Sequence, residues 1–129
     1  MKEDEALRLL RALLENEGAQ WQEESGFLRF RLQHGGMLWE TACRACEGGL
    51  LFYGRFPFRC ADAERARRVC EEINRTLLRG ALYLTEEGTP VYRCRAELDD
   101  IYGAEDRIAA ALRYSAQVIA HFWGRLSDI

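Results

Sequence analysis

The chain has 129 residues, of which 48% are hydrophobic and 30% charged, a balance that indicates a folded domain and excludes a disordered chain. Its net charge of −3 argues against nucleic acid as the main partner, because phosphate binding needs a basic footprint. No segment approaches ~18 consecutive apolar residues, so the sequence predicts no membrane-spanning helix.

The N-terminal segment is predicted to form a helix. Leu7, Leu10, Leu13 and Leu14 recur at helical spacing, and Gly18 is suited to end the helix. Its first residues are acidic where an export signal has a basic region, so we expect no such signal. The five cysteines are an odd number without framework spacing, which favours reduced thiols and a cytoplasmic location.

Four strands are predicted to follow, because the apolar pattern changes from a helical to a twofold period. A short first strand around Trp21 pairs with the second across the turn at residues 25–26. The third strand covers residues 37–46 and the fourth residues 50–56, and both follow glycine-rich turns. Apolar residues alternate with arginines in the second strand, at Leu28, Arg29, Phe30, Arg31 and Leu32.

A second helix is predicted to begin after Asp62, a suitable N-cap, and to end at Gly80. Its apolar face consists of Ala66, Val69, Cys70, Ile73 and Leu77. Two strands follow, at residues 81–85 and 91–98, around a hairpin turn at Glu87 and Gly88. An acidic loop then leads to a last helix at residues 104–126. Its inward residues are Ile108, Leu112, Ser115, Ile119 and Phe122 or Trp123.

The predicted order is therefore α-β-β-β-β-α-β-β-α, an α+β fold in which helices pack on an antiparallel β-sheet. The apolar pattern continues without a repeat, a low-complexity segment or a linker. Residues 1–129 are therefore predicted to form a single domain.

Two segments give the sequence a family resemblance. EEINRTLLRGALYLTEEGTPVYRCRAELDD, residues 71–100, places Asn74 near a helix end before a strand, an acidic-glycine turn and another strand. ALRYSAQVIAHFW belongs to a final helix rich in alanine and aromatic residues. In these features the chain resembles the YbjN-like family, which shares its fold with the class I type III secretion chaperones. The resemblance implies a curved antiparallel sheet, often in a homodimer, no enzymatic activity, and capture of extended partner segments.

Cys43 and Cys46 form the one short motif that is similar to a functional signature. In thioredoxin-like proteins such a pair lies at a helix N-terminus, where the dipole lowers the thiol pKa. Here it ends a predicted strand, in which residues three apart point to opposite faces and disfavour a disulfide or a shared metal. Cys60, Cys70 and Cys94 are scattered, so no second pair completes a zinc site. We favour a structural role, with a thiol-based redox or metal sensor as an alternative.

No catalytic, cofactor-binding or metal-binding residue is predicted, and we do not expect an enzyme. His34 lies in a glycine-rich turn and His121 in the last helix, without a recognisable nucleophile signature nearby. An acidic run does not match EF-hand spacing and fits a solvated turn followed by a helix start. The run consists of Glu97, Asp99, Asp100, Glu105 and Asp106.

The sheet provides the candidate binding surface. Eight residues are predicted to face the helices: Leu28, Phe30, Leu32, Leu50, Phe52, Tyr92, Cys94 and Leu98. Alternation then places arginines and aromatic residues on the opposite face, beside Glu40 and Glu97. The candidate partner-binding residues are Arg29, Arg31, Arg44, Tyr53, Arg55, Arg93 and Arg95.

Three interpretations of this face stay open. Guanidinium groups grip carboxylates and aromatic rings supply contact area, which suits an acidic, partly apolar peptide of a partner protein. Stacking rings and arginines also suit single-stranded nucleic acid. An ordinary solvated face is the third, because arginine supplies 17 of the 18 basic residues throughout the chain. The sequence thus predicts a non-enzymatic protein- or peptide-binding module and does not identify the partner.

Overall fold

The computed structural model describes residues 1–129, which form three helices and six strands. The helices are α1 (Glu3–Asn16), α2 (Ala63–Asn74) and α3 (Ala104–Ser127). The strands are β1 (Trp21–Glu24), β2 (Phe27–His34), β3 (Met37–Cys46), β4 (Gly49–Arg55), β5 (Ala81–Leu84) and β6 (Pro90–Glu97). The order of elements is the predicted one, and the α+β fold class is confirmed.

All six strands belong to one antiparallel sheet with the order β1-β2-β3-β4-β6-β5. Strands β1 to β4 follow one another through tight turns. Gly36 has a φ of 80° and Gly48 a φ of 73° in two of these turns, a conformation that glycine adopts most readily. β6 returns to pair with β4, so β5 becomes an edge strand.

One face of the sheet is covered by helices. α1 and α3 pack against each other and against this face, whereas α2 lies along β5 beside the C-terminal half of α3. Leu32 is half-buried and the other seven residues predicted to face the helices are buried, at positions 28, 30, 50, 52, 92, 94 and 98. Together with Leu10, Leu14, Ile108 and Ile119 they belong to a single hydrophobic core.

The second helix is shorter than predicted, because α2 ends at Asn74 and not at Gly80. The hydroxyl of Thr76 donates a hydrogen bond to the carbonyl of Ile73 at 2.7 Å, and so does its amide at 2.9 Å. These bonds occupy the carbonyl that the next helical turn would use. Leu77 therefore lies in a loop, although its spacing continues the helical pattern.

Asn74 ties this helix end to the edge of the sheet. Its side-chain amide donates to the carbonyl of Leu82 at 2.9 Å, and its oxygen accepts the amide of Leu82 at 2.7 Å. These two bonds occupy outward-pointing backbone groups of β5, which otherwise invite pairing with another strand. The contact also helps to fix β5 beside β6 at the edge of the sheet.

Candidate functional site

The sheet face opposite the helices carries the residues predicted to bind a partner. We call it the open face and define it by Arg29, Arg31, Arg44, Tyr53, Arg55, Arg93 and Arg95. Strand register confirms that they share one side of the sheet, because directly paired residues point the same way. One row of pairs joins Arg31, Glu40, Arg55, Val91 and Tyr83, and the next joins Arg29, Ala42, Tyr53 and Arg93. Five of the arginines are exposed, whereas Arg95 and Tyr53 are half-buried.

Three of the six arginines are engaged within the chain. Arg29 forms ion pairs with Glu40 at 3.4 Å and with Glu24 at 3.9 Å. The Nε of Arg95 lies 2.8 Å from a carboxylate oxygen of Glu97. The Nε of Arg44 donates to the hydroxyl of Tyr53 at 3.2 Å, which raises the pKa of the guanidinium further.

Arg31, Arg55 and Arg93 take part in none of the five ion pairs of the structure. Arg31 and Arg55 both lie opposite Glu40, but that carboxylate pairs with Arg29. All three side chains are exposed. Arg55 has Glu87 as an acidic neighbour beyond ion-pair distance: hydrogen bonds from its own backbone and from Thr85 lower the pKa of Glu87, and the charges of Arg55 and Arg59 add to this effect. No hydrogen bond within the chain uses the donor forks of these three guanidinium groups. A carboxylate is the ligand that such a fork binds in two parallel hydrogen bonds.

A depression of about 420 Å³ lies on the open face, and Arg55 is the one of these three arginines that lines it. Ala42 and Val91 are its shortest apolar side chains, and the rings of Phe27, Tyr53 and Tyr83 line it. Phe27 and Tyr53 meet edge to face, with ring centroids 6.3 Å apart. Its other lining residues are Arg29, Glu40, Arg55 and Thr85. The volume falls within the range of roughly 300–1,000 Å³ that is usual for ligand sites.

Tyr83 joins the aromatic and the basic parts of this site. Burial raises the pKa of its phenol and the nearby Tyr53 adds to the rise, whereas Arg93 and Arg55 act in the opposite direction. The ring is still 40% exposed, although it is a large apolar group. An incoming apolar side chain would therefore gain contact area from Tyr83, and a carboxylate next to it would be attracted by Arg55 and Arg93.

Sequence reasoning missed Tyr83 and Ala42. The only signal for Tyr83 is its alternation with Leu82 and Leu84, which predicts an outward side chain but not its neighbours. Its position follows from β5 lying beside β6, and no local pattern encodes that pairing. Ala42 has no functional group that would mark it in the sequence. Its contribution to the depression is that its small side chain leaves space above it.

A larger depression of about 940 Å³ opens around the edge strand β1 and reaches Arg29 and Arg31. It also contains Glu15, Glu24 and Glu40, so its lining has charges of both signs. Only three of its ten lining residues are hydrophobic. The depression of about 420 Å³ combines three aromatic rings with Arg55, which takes part in no ion pair, and we regard it as the better candidate site.

The two cysteines of the CxxC motif point to opposite faces, as predicted. Cys43 is fully buried under the helices and pairs across the sheet with Leu28 and Phe52. Cys46 is half-buried on the other side, where its sulfur lies 3.1 Å from a guanidinium nitrogen of Arg95. A disulfide between them would require one side chain to cross the sheet.

Burial keeps the other thiols protonated. It raises the pKa of Cys70 and Cys94 to about 11 and shifts the pKa of Cys43 and Cys60 upward as well. Since the thiolate is the reactive form, these four groups are poor nucleophiles at neutral pH.

A thiol titration of the native protein with an aromatic disulfide reagent is therefore expected to modify one group, Cys46. The other four thiols should react only on unfolding, or as the pH rises through the raised pKa values. Cys46→Ser is the matched control and should abolish labelling of the native state. Labelling of Cys43 in the folded protein would contradict this assignment and favour the redox alternative.

The remaining candidates do not form a site. His34 ends β2 in an exposed position, and His121 is exposed on α3 with its ring 4.6 Å from that of Phe122. Glu105 and Asp106 lie in the first turn of α3, as predicted. No group of three or more His, Cys, Asp or Glu side chains is arranged to hold a metal ion.

No family model, curated protein or solved structure matches this chain. The resemblance to the YbjN-like family therefore stays a prediction. None of the three helices has the length and the apolar character that crossing a membrane requires. The geometry of the open face is thus the main guide to function.

Proposed function

We propose that this protein is a non-enzymatic binding module that holds an acidic, partly apolar segment of a partner protein on its open face. The observation that carries the proposal is an aromatic depression lined by Arg55, on a surface where Arg31, Arg55 and Arg93 take part in no ion pair. Positively charged guanidinium groups and exposed aromatic rings thus lie side by side on one surface.

In this mechanism the carboxylates of the segment bind the unpaired guanidinium groups through paired hydrogen bonds. An aromatic or aliphatic side chain of the segment enters the depression between Phe27, Tyr53 and Tyr83. The strands that carry these residues are joined by short turns and anchored on the core. Little ordering is needed on binding, which keeps the entropic cost low.

The distribution of charge favours a peptide over single-stranded nucleic acid. Glu40 lies between Arg31 and Arg55 in the same row, and Glu24 and Glu97 neutralise further arginines. A phosphate backbone presents evenly repeated negative charge and would meet these carboxylates. A peptide can place its acidic residues at the arginines and apolar residues elsewhere. Binding of an oligonucleotide remains an outcome that the experiment below distinguishes.

The YbjN-like resemblance supports the same proposal, since secretion chaperones of that fold bind extended partner segments. A homodimer and a cytoplasmic location belong to the proposal on the same ground. The α+β architecture with one uncovered sheet face agrees with this kind of function but does not by itself select it.

The proposal is tested with the variant Arg31→Glu/Arg55→Glu/Arg93→Glu and a fluorescent peptide in which glutamates alternate with aromatic residues. We expect fluorescence anisotropy to show peptide binding by the wild type and an affinity roughly 100-fold lower for the variant. Reversing each charge removes an attraction of about 1 kcal/mol, and three such losses with added repulsion give this factor. The fold should persist, because all three side chains are exposed.

Arg67→Glu/Arg68→Glu/Arg113→Glu is the matched control, since it changes the net charge equally at exposed positions on α2 and α3. It should bind the peptide within about threefold of the wild type, because long-range charge effects are screened by salt. Equal losses in both variants, or no binding by the wild type, would refute the proposal. Tighter binding of an oligonucleotide than of the peptide would favour the nucleic-acid alternative.

A further inference from the structure

The chain itself contains a segment with the chemistry that the open face suits. Residues 99–106, which we call the acidic segment, include Asp99, Asp100, Glu105 and Asp106. None of these carboxylates takes part in an ion pair of the structure. Ile101 and Tyr102 lie between them in sequence, so an apolar pair is flanked on both sides by acidic residues within a short stretch.

Ile101 and Tyr102 are unusually exposed for their types. The side chain of Ile101 is 64% exposed and that of Tyr102 is 80% exposed. The amide of Tyr102 donates to the carboxylate of Asp100 at 2.9 Å, a turn that presents the tyrosine ring outward. Adjacent apolar side chains next to free carboxylates form a patch that is suited to bind another surface.

The acidic segment does not reach the aromatic depression of its own chain. The amide of Leu98 donates to the carbonyl of Gly48, and the N-terminal amino group donates to the carbonyl of Asp99 at 3.0 Å. These bonds hold the segment at the end of β6, whereas Val91 in the depression lies at the start of β6. Six residues of strand separate the two places by about 20 Å. The chain then continues into α3 on the opposite side of the sheet.

We propose that the open face binds the acidic segment of a second copy of this chain. This inference rests on the proposed function, because it identifies a partner for the same site. Asp99 and Glu105 pair with the unpaired guanidinium groups of Arg55 and Arg93, and Tyr102 enters the aromatic depression. In a twofold dimer each copy gives one segment and receives one, so the two contacts close the assembly.

Sedimentation velocity of the full chain tests this pairing with three variants. The face variant is Arg55→Glu/Arg93→Glu, the segment variant is Asp99→Arg/Glu105→Arg, and the third combines all four changes. We expect the wild type to dimerise more weakly as salt increases, and each pair of changes alone to raise the dimer dissociation constant at least about 10-fold. The combined variant should dimerise again, because glutamates on the face then meet arginines on the segment.

Restored dimerisation in the combined variant would support direct contact between the two regions. A wild type that stays monomeric, a dimer indifferent to both pairs of changes, or no recovery in the combined variant would overturn the inference. The synthetic peptide of residues 97–107 separates this failure from failure of the proposed function. If the glutamate-aromatic peptide binds the open face and the peptide of residues 97–107 does not, only the second-copy inference fails. If neither peptide binds, both fail.

Discussion

Replacement of Phe52 by alanine is expected to lower the free energy of unfolding by about 3–5 kcal/mol, the largest effect we predict for a single truncation. Phe52 is fully buried in the central strand β4, with Cys43 and Cys94 as its cross-strand neighbours. Truncation removes the apolar contacts of the ring and leaves a cavity that the rigid sheet fills only partly. Since a domain of this kind is stable by about 5–15 kcal/mol, urea unfolding should detect the loss readily.

Leu51→Ala is the matched control for Phe52→Ala, because the two residues are adjacent in β4 and point to opposite faces. Leu51 is only half-buried on the open side, so we expect a loss of about 1 kcal/mol. Equal losses for the two variants would show that the open side is covered as thoroughly as the helical side. That result would contradict the division of the sheet into a core face and a binding face.

Gly80→Ala is expected to lower the free energy of unfolding by about 2–5 kcal/mol, the sum of backbone strain and overpacking. Gly80 has a φ of 74°, where L side chains are strained. An added Cβ would also lie within 3.0 Å of the carbonyl oxygen of Arg93 and of the hydroxyl of Tyr92. That hydroxyl donates to the carbonyl of Arg79 at 2.6 Å, so it cannot move without losing the bond. Urea unfolding measures the change.

Gly18→Ala separates the two contributions in Gly80→Ala. Gly18 has a φ of 72°, but nothing lies within 4 Å of the position its Cβ would take. We therefore expect Gly18→Ala to cost only the strain of about 1–2 kcal/mol. If Gly80→Ala lowers the free energy of unfolding by no more than Gly18→Ala does, then β6 does not approach residue 80 as closely as the structure shows. Gly80 leads directly into β5, which carries Tyr83. The Gly80→Ala variant should therefore also bind the peptide more weakly than the wild type.

The periodicity of the sequence predicts most helices and strands of this fold, because their faces and turns depend on residues that are close together in the chain. The alternation of Leu28, Arg29 and Phe30 fixes both faces of β2, and the turn glycines fix where the neighbouring strands begin. The end of α2 escaped prediction for the opposite reason. Leu77 continues the helical pattern, whereas Thr76 bonds to the carbonyl of Ile73 and Asn74 bonds to Leu82 in another element. A local pattern cannot outweigh a partner that only the folded chain supplies.

For the candidate site, too, the sequence predicts which face a residue lies on but not which residues it contacts. Twofold alternation places the arginines on one face, but strand order decides which of them share a carboxylate. Arg29 takes Glu40, and this pairing leaves Arg55 unpaired although it lies directly opposite that glutamate. The aromatic depression forms because β5 pairs with β6. The position of Tyr83 in the site therefore follows from the structure and not from the sequence pattern.

The open face, and not the helical side, is the surface that we propose to bind an acidic segment. NMR of the arginine Nε–Hε groups tests it most directly, with the glutamate-aromatic peptide added in steps. We expect the signals of Arg31, Arg55 and Arg93 to shift and saturate together, while those of Arg67 and Arg113 on the helices stay in place. Shifts confined to the helical arginines, or equal small shifts at every arginine, would contradict the claim.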